Sequence, residues 1–372
     1  MHTVAVKIAI IHELLTMRGG AERVLRSIAE MFPEAPIYTL LYDEKKLGDW
    51  FPKERVRTST LQRYARFSTN HHLYLPWFPR AVQAWDFREF DVVLSTSSAF
   101  VHGILTNGAP RHLCYVHSPA RYLWDRTHDV LAQAGKGLLG PLRRAYLERV
   151  FHRLRIWDSE AADRPDALLT ASLEVQRRVE LYWRRPSTVL YPPIDDRWLT
   201  ASPVQSTREQ PNYFLIVSTL ARYKRIDLAI AACTSLGIHL KIVGEGPDRT
   251  RLERMAGPTV AFYGRRNHDE LVDLYGGAQA TIVPGEEDFC LVALESMACG
   301  TPVIAYGKGG VTETVIEGKT GVFFAEPTPE SLSAALSSFN TQSFNADLCK
   351  ARAAEFSQKR FTEGLRSALA AL

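Results

Sequence analysis

The sequence has few cysteines and no long hydrophobic run. Its five cysteines are scattered along 372 residues, and no pair has the spacing of a zinc site. We therefore predict reduced thiols, as in a cytosolic protein, rather than a disulfide framework. Lys7 interrupts the first apolar run, and no run approaches the roughly 20 apolar residues that a bilayer-spanning helix needs. The sequence thus predicts neither a transmembrane segment nor a signal peptide.

Repeats and low-complexity tracts are also absent, and the net charge is only +4. With 46% apolar and 23% charged residues, the composition is that of a globular protein and excludes disorder as the main state. The charge is uneven, however, because residues 1–190 contain 27 Lys and Arg against 20 Asp and Glu. This excess indicates that the first half of the chain meets anionic material.

Short apolar runs alternate with helical patterns along the chain, which is typical of an α/β protein with mostly parallel sheets. The pattern pauses over Asp195–Pro211, a segment rich in Ser, Thr and Pro that we interpret as a linker, and then restarts. We predict a first domain over residues 1–195, a second over 196–355 and a final helix over 356–372. Two doubly wound domains would leave a cleft between them, lined by the loops that follow the strands.

Two loops of the first domain are candidates for ligand contact. Gly19 and Gly20 follow a strand predicted at Val4–Ile11 and precede a helix, so they favour phosphate or substrate contact, although a simple tight turn is the alternative. His117 follows the strand predicted at His112–Val116. At that position a histidine either donates a hydrogen bond to a substrate or serves a structural role.

The second domain offers stronger candidates. The loop Thr219–Arg225 carries three cations at the start of a helix, where they oppose the helix dipole and therefore suit a diphosphate. Glu287 lies in the loop after another predicted strand. Glu295 lies inside the apolar helix Leu291–Ala298, so it needs a partner or a ligand unless it occupies a solvated face. Gly307–Gly310 forms a further glycine-rich entrance to a helix.

Together these residues resemble a known family. Glu287 and Glu295, eight positions apart and followed by Met297–Ile304, resemble the Glu-x7-Glu signature of family 4 retaining glycosyltransferases. The resemblance covers essentially the whole chain, because the Gly19 loop, the His117 loop and the Lys224 loop follow in the family's order. The subgroup resembled makes bacterial O-antigen and exopolysaccharide chains and includes many mannosyltransferases.

The resemblance implies a GT-B fold, with two Rossmann-like domains, the acceptor in the first and the nucleotide-sugar mainly in the second. It also implies that the final helix, residues 356–372, crosses back to the first domain. It implies that Glu287 bonds donor-sugar hydroxyls, Glu295 holds the ribose, and His117 contacts the sugar near the reacting carbon. Lys224 and a nearby arginine would stabilise the leaving diphosphate. The implied catalytic residues are His117, Glu287, Lys224 and Arg222, and the implied donor-binding residues are Gly19, Gly20, Thr219, Arg225, Glu295, Phe289, Cys290, Leu291, Gly309 and Gly310.

Two positions depart from the family pattern. Thr219 stands where relatives usually carry Arg, so Arg222 or Arg225 would supply the charge. Cys290 stands where relatives usually carry Gly, which could narrow the donor pocket. Because the pattern Asp-x-Asp is absent, we predict no metal site and no cofactor besides the nucleotide-sugar substrate.

Basic and aromatic residues intermingle over residues 53–88, where seven Lys and Arg face two acids, and the predicted helix Leu142–Ile156 adds five arginines. This mixture suits an anionic membrane surface, whereas the alternative is a set of core aromatics with solvated arginines. Single-stranded nucleic acid is disfavoured as a partner. The acceptor or membrane candidates are Arg121, Tyr122, Trp77 and Arg80.

The sequence thus predicts a retaining hexosyltransferase, cytoplasmic and peripheral to the inner face of the cell membrane. Its donor is best assigned as GDP-mannose, with UDP- or dTDP-hexoses as alternatives, and its acceptor as a lipid-linked glycan of surface polysaccharide synthesis. A nucleotide-sugar epimerase and a non-catalytic nucleotide-sugar-binding protein on the same fold stay open. The oligomeric state is not readable from the sequence.

Overall fold

The computed structural model describes residues 6–65, 71–108, 110–202 and 213–372. Arg66 and Phe67 of the predicted basic and aromatic stretch lie outside these ranges, as do the first two residues of the predicted first strand and residues 203–211 of the predicted linker. The chain divides into two compact units. One runs to Tyr191 and also includes Thr362–Leu372, and the other is Pro192–Phe361.

The described residues of the first unit form a seven-stranded parallel sheet in the order β3-β2-β1-β4-β5-β6-β7. Helices connect most of the strands, as parallel pairing requires. In chain order the elements are β1 (Ile8–Leu15), α1 (Gly20–Met31), β2 (Ile37–Tyr42), α2 (Glu44–Leu47), β3 (Val56–Thr58), α3 (Gln62–Ala65), α4 (Phe78–Val82), β4 (Val92–Ser97), β5 (Arg111–Val116), α5 (Thr127–Ala134), α6 (Gly140–Ala161), β6 (Ala167–Thr170), α7 (Leu173–Trp183) and β7 (Thr188–Val189).

The second unit repeats this architecture with a six-stranded parallel sheet among its described residues, in the order β10-β9-β8-β11-β12-β13. Its elements are α8 (Asp196–Leu199), β8 (Tyr213–Val217), α9 (Ile226–Leu236), β9 (His239–Val243), α10 (Arg249–Met255), β10 (Val260–Gly264), α11 (His268–Gly276), β11 (Thr281–Val283), α12 (Leu291–Ala298), β12 (Val303–Tyr306), α13 (Val311–Thr314), β13 (Gly321–Phe324), α14 (Pro329–Ser338) and α15 (Ala346–Ala354). Helix α16 (Gln358–Ala370) begins in this unit and continues into the first, which includes Thr362–Leu372.

The position of the strands explains where polar side chains can gather. In each sheet the chain order reverses beside a central strand, β1 next to β4 in the first unit and β8 next to β11 in the second. Loops that leave the carboxyl ends of such neighbouring strands turn to opposite sides and leave a crevice. The loops after β8 and β11 carry Lys224 and Glu287, and the loop after β4 surrounds the Glu13 side chain of β1.

The aromatic residues of segment 74–90 have mainly a structural role. Phe78 and Phe87 are fully buried, and Tyr74, Trp85 and Phe90 pack against the same core of the first unit. For these side chains the core alternative weighed in the sequence analysis is the correct one. Trp77 and Tyr64 stay exposed.

Candidate functional site

The centre of the candidate site is an ion pair between two loops of the second unit. Arg222–Lys224 form a short 3-10 turn after β8, and Glu287 lies in the loop between β11 and α12. Lys224 Nζ is 2.7 Å from both carboxylate oxygens of Glu287. The two side chains are only 19% and 18% exposed. The structure thus brings together the two residues that the sequence analysis placed at the centre of catalysis.

Electrostatics keep Lys224 in its charged form. Burial on its own lowers the pKa of Lys224, but the adjacent Glu287 carboxylate outweighs burial and the pKa lies well above its usual value. An ammonium group has three N–H donors, and two of them reach Glu287. The pair is therefore a fixed positive charge beside a fixed carboxylate.

Glycines hold the Glu287 loop against its neighbours. A Cβ on Gly285 would lie 2.9 Å from the carbonyl oxygens of Tyr223 and Lys224. A Cβ on Gly309 would lie 2.3 Å from the carbonyl oxygen of Glu287, and Gly310 N donates to that same oxygen at 2.8 Å. Only glycine permits such close approach of backbones. Gly309 and Gly310, predicted to bind the donor, therefore position the Glu287 loop.

Cys290 connects this loop to α12 in an unusual conformation. Its φ is +81°, in the region that side chains other than glycine rarely adopt. Glycine adopts this conformation without a steric cost, which accounts for the glycine that the family pattern implies at this position. The Cys290 side chain is buried, and burial raises the pKa of its thiol well above the usual value. Phe289, directly before Cys290, is buried and its ring lies 5.5 Å from the ring of Phe356, which anchors the loop. Leu291, directly after Cys290, is the first residue of α12.

Glu295 is buried inside α12, as its apolar neighbours predicted. Its Oε2 accepts a hydrogen bond from Tyr275 Oη at 3.0 Å, and the Tyr275 ring meets the edge of the buried Trp198. Glu295 therefore does not lie on the solvated face that was its alternative. Its role toward a ribose stays a prediction.

The remaining cations of the Lys224 loop have acidic neighbours. Arg222 Nε is 3.6 Å from Asp248, and Arg225 Nε is 3.5 Å from Asp227. Arg222 is about half exposed, and Thr219 is exposed at the start of the loop. Of these three cations, the structure places Lys224 alone against Glu287.

The sequence analysis missed the loop after β9, Gly244–Asp248. A Cβ on Gly246 would lie 2.3 Å from the Leu220 carbonyl oxygen, and Asp248 N donates to that oxygen at 2.9 Å. This loop thus supports the chain between β8 and Lys224. Two glycines directly after a predicted strand were the available signal.

In the first unit, Gly19 and Gly20 begin α1 as expected. Glu22 of this helix accepts a hydrogen bond from Gly19 N at 2.9 Å, and its other carboxylate oxygen is 3.8 Å from His12 Nε2. His12 Nδ1 is 2.6 Å from Thr96 Oγ1. Glu22 occupies the place at the helix start where a ligand carboxylate or phosphate could otherwise lie, which favours the structural alternative for this turn.

His117 directly follows β5 and lies close to His12, with a ring distance of 6.3 Å. Burial, together with the neighbouring His12, lowers the pKa of His117 to about 3. Its Nε2 is buried and has no hydrogen-bond partner among the described residues. His117 is therefore a neutral imidazole whose Nε2 can form a hydrogen bond with a substrate group.

Glu13 is a polar residue that the sequence analysis missed. Its buried carboxylate accepts hydrogen bonds from the backbone N–H groups of Ser98 at 2.6 Å, Ala99 at 3.1 Å and Val101 at 3.3 Å, and also from Phe100. Burial raises the pKa of Glu13, and these N–H groups oppose that rise. Glu13 thereby fixes the loop after β4. Its signal was an acid next to a histidine inside an apolar run.

The four acceptor or membrane candidates do not form one group. Arg121 is mostly buried and pairs with Asp125 at 2.9 Å, and Tyr122 packs against Phe151 at a ring distance of 5.6 Å. Trp77 and Arg80 are exposed. Contact of Arg121, Tyr122, Trp77 and Arg80 with an acceptor or a membrane stays a prediction.

Among the described residues, no helix is long and apolar enough to cross a bilayer. No group of three or more His, Cys, Asp or Glu side chains there is arranged to hold a metal ion.

Residues 200–356 match the family described as Glycosyl transferases group 1. A glycogen synthase of Mycobacterium tuberculosis is 35% identical over 208 residues, which are 52% of this chain and 49% of the relative. A GDP-mannose-dependent alpha-mannosyltransferase of the same species is 38% identical over 107 residues, 28% of each chain. The chain thus spans about half the length, or less, of these curated relatives.

Solved structures resemble nearly the whole chain. Anabaena HepE in complex with UDP-glucose superposes with a TM-score of 0.69 at 18% identity, covering 98% of this chain and 100% of that one. Sucrose-phosphate synthase from Thermosynechococcus elongatus superposes with a TM-score of 0.71 at 17% identity, with the same coverage. The chain therefore has the GT-B fold, which confirms the predicted fold class. The match over residues 200–356 supports the resemblance at the level of group 1 glycosyltransferases, and the mannosyltransferase-like subgroup stays a prediction.

Proposed function

We propose that this GT-B chain is a retaining hexosyltransferase that moves mannose from GDP-mannose to a lipid-linked glycan of surface polysaccharide synthesis, working in the cytoplasm at the inner face of the cell membrane. The observation that carries the proposal is the Lys224–Glu287 pair at the carboxyl ends of β8 and β11. It lies within the segment that matches group 1 glycosyltransferases.

The pair suits the chemistry of sugar transfer. Breaking the bond between a sugar and a diphosphate places negative charge on the leaving group and positive charge on the ring. A fixed ammonium group in a sheltered site lowers that barrier because it needs no reorganisation. Lys224 has one N–H donor beyond the two that reach Glu287, and this donor is proposed to bond the diphosphate. Glu287 is proposed to accept hydrogen bonds from donor-sugar hydroxyls.

The rest of the proposed mechanism uses protein cations instead of a metal ion. Arg222 and Arg225 extend the positive charge of the Lys224 loop toward the diphosphate. The configuration at the reacting sugar carbon is proposed to be retained because the acceptor hydroxyl attacks from the same face from which the leaving group departs. The leaving phosphate takes the proton of that hydroxyl. Contact of His117 with the donor sugar stays a prediction, and its unpartnered Nε2 supports it.

The donor has one well-supported alternative. GDP-mannose is favoured by the GDP-mannose-dependent mannosyltransferase, which is 38% identical to this chain over 107 residues. A UDP-hexose is favoured by the structural neighbour solved with UDP-glucose. We expect a thermal-shift screen with GDP-mannose, UDP-hexoses and dTDP-hexoses to separate them, because a ligand that binds only the folded state raises the melting temperature.

The test of the function is transfer by the full chain. We expect sugar from the selected donor to appear in a lipid-linked acceptor, and Glu287→Gln to lower kcat at least ~100-fold, as removal of one transition-state contact typically does. Glu286→Gln is the matched control, since it changes the neighbouring acid in the same loop. Sugar epimerisation without acceptor, or donor binding without turnover, would contradict the proposal and favour the two open alternatives.

A further inference from the structure

An apolar surface remains exposed in the first unit, far along the sequence from the candidate site's loops. Leu138 and Leu139 in the turn before α6 are 99% and 69% exposed, and Leu142 and Tyr146 on its first turns are 72% and 55% exposed. Isolated exposed leucines are ordinary, but a cluster of four large side chains marks an interaction surface. We call this cluster, with Arg149 and Arg153, the α6 face.

Helix geometry makes the α6 face continuous. Leu142, Tyr146, Arg149 and Arg153 follow one another at intervals of four, three and four residues, so they lie on one stripe of the helix. The side chains that hold α6 to the core are Phe151 and Leu154, which are buried, with Leu147 packed beside them. The exposed stripe is therefore additional to the face that folding needs.

The charge around the α6 face is strongly positive. Residues 136–153 contain five Lys and Arg and one acid. That acid, Glu148, is 2.8 Å from Arg144 of the same helix. Leucines at one end and arginines along the stripe combine apolar contact with attraction for anions.

We propose that the α6 face docks on an anionic lipid bilayer, with Leu138, Leu139 and Leu142 at the acyl boundary and the arginines at the lipid phosphates. Basic side chains near an anionic leaflet are attracted to it, and their aliphatic stems can lie along the apolar region. A second copy of the chain fits less well, because a symmetric contact would oppose two positively charged surfaces. The inference rests on the proposed function for its purpose, since it gives access to a lipid-linked acceptor.

Composition also favoured residues 53–88 as a membrane surface. They are rich in Arg and aromatics, but Phe78 and Phe87 belong to the core. Within the described part of that stretch, Tyr64 and Trp77 are the exposed large hydrophobics. They serve as the competing surface in the test.

The test is sedimentation of the purified full chain with vesicles, without any nucleotide-sugar, so its result does not depend on catalysis. We expect the protein to bind phosphatidylglycerol vesicles at low salt. Its affinity should fall about tenfold or more in 0.5 M NaCl, because that much salt screens charges from one another beyond a few Å. The triple variant Leu138→Ser, Leu139→Ser, Leu142→Ser should bind at least ~10-fold more weakly, since each buried leucine contributes to interfacial binding. Serine suits position 139, directly before α6, because serine favours helix starts.

Matched controls make the outcome decisive. A control variant changes three exposed leucines elsewhere and should bind the vesicles like the parent protein. Its substitutions are Leu181→Ser, Leu236→Ser and Leu348→Ser. Equal binding by the α6 triple variant, or weaker binding by Tyr64→Ser, Trp77→Ser instead, would overturn the proposal. Equal binding to neutral phosphatidylcholine vesicles, or a dimer in gel filtration that the α6 triple variant abolishes, would also overturn it. Transfer to a water-soluble acceptor should be unchanged in the α6 triple variant, which separates this inference from the function.

Discussion

Among the described residues other than glycine, Cys290 has the largest positive φ. At φ +81° a β-carbon is crowded by the neighbouring carbonyl, at a cost of about 1–2 kcal/mol that glycine does not incur. We therefore expect Cys290→Gly to be more stable than Cys290→Ala by about 1 kcal/mol. At Cys299, where φ is −80°, the order should reverse, with the alanine variant more stable. Urea unfolding of the four variants measures both differences, and the same order at both positions would contradict the strain.

A second prediction at the residue scale concerns the titration of Lys224 in its pair with Glu287. In the parent protein the carboxylate holds the pKa of Lys224 above its usual value although burial lowers it. Glu287→Gln removes the negative charge and leaves the burial, so the pKa of Lys224 should fall below its usual value. Titration of Nζ by NMR on lysine-labelled protein measures this fall. Glu286→Gln should leave the pKa high, and a similar fall in that variant would show that the pairing is not specific.

At the scale of elements, the packing of glycine loops on the Glu287 loop determines where the carboxylate lies. Gly309 has φ +80° and lies against the Glu287 backbone, whereas Gly318 has φ +69° and open space around its Cβ position. Both alanine variants should lose about 1 kcal/mol or more from the left-handed backbone. Gly309→Ala should in addition displace Glu287 and lower donor affinity, because 2.3 Å leaves no room for a carbon atom. Donor titration of the two variants checks this, and equal affinities would contradict it.

Elements with strong periodicity could be predicted from the sequence, and their bounds are close to those observed. The helix Leu291–Ala298 has the predicted ends, and the predicted helix Leu142–Ile156 extends to Gly140–Ala161. Strand β1, however, continues to Leu15, four residues beyond the predicted end. His12 and Glu13 resemble a strand terminus because they are polar. They are buried instead, since partners from β4 and its following loop satisfy them.

The parts of the site that could be predicted are those whose signal lies in the sequence next to the residue concerned. Lys224 and Glu287 follow predicted strands, so their meeting follows from neighbouring parallel strands. The tasks of Gly309 and Gly310 depend on loops that approach from another part of the chain, which no local pattern encodes. The same holds for the aromatics near Phe78. Short, irregular segments there have no period from which burial could be read.

At the scale of the whole molecule, the first unit buries several titratable groups in its interior. Burial lowers the pKa values of His102, His112 and His117 to about 3 and raises the pKa of Asp158 to about 7. Asp158 accepts hydrogen bonds from Trp124 at 2.9 Å and Trp183 at 2.7 Å. These groups fold in their uncharged forms, so folding and protonation are linked.

The direction of this linkage follows from the proton count. Between about pH 6.5 and pH 4 each of the three histidines takes up a proton only on unfolding, so their contribution to stability is present above pH 6.5 and is lost on acidification. Asp158 acts oppositely, because its folded form holds a proton up to about pH 7 that its unfolded form releases. For these four groups the net difference is about two protons, which corresponds to a loss of about 2–3 kcal/mol per pH unit. Glu13, whose pKa burial also raises, acts in the same direction as Asp158.

We therefore expect urea unfolding, followed by tryptophan fluorescence, to show falling stability of the first unit from pH 6.5 to pH 4.5. Six of the seven tryptophans lie in that unit, so the signal reports it. His112→Gln keeps a polar group near Ser95 Oγ, which is 2.7 Å from His112 Nε2. It should reduce the acid slope by about 1.4 kcal/mol per pH unit, the value for one proton. The exposed His152 provides the matched control, and His152→Gln should leave the slope unchanged. Equal slopes in all three proteins would mean that the buried histidines do not drive acid unfolding.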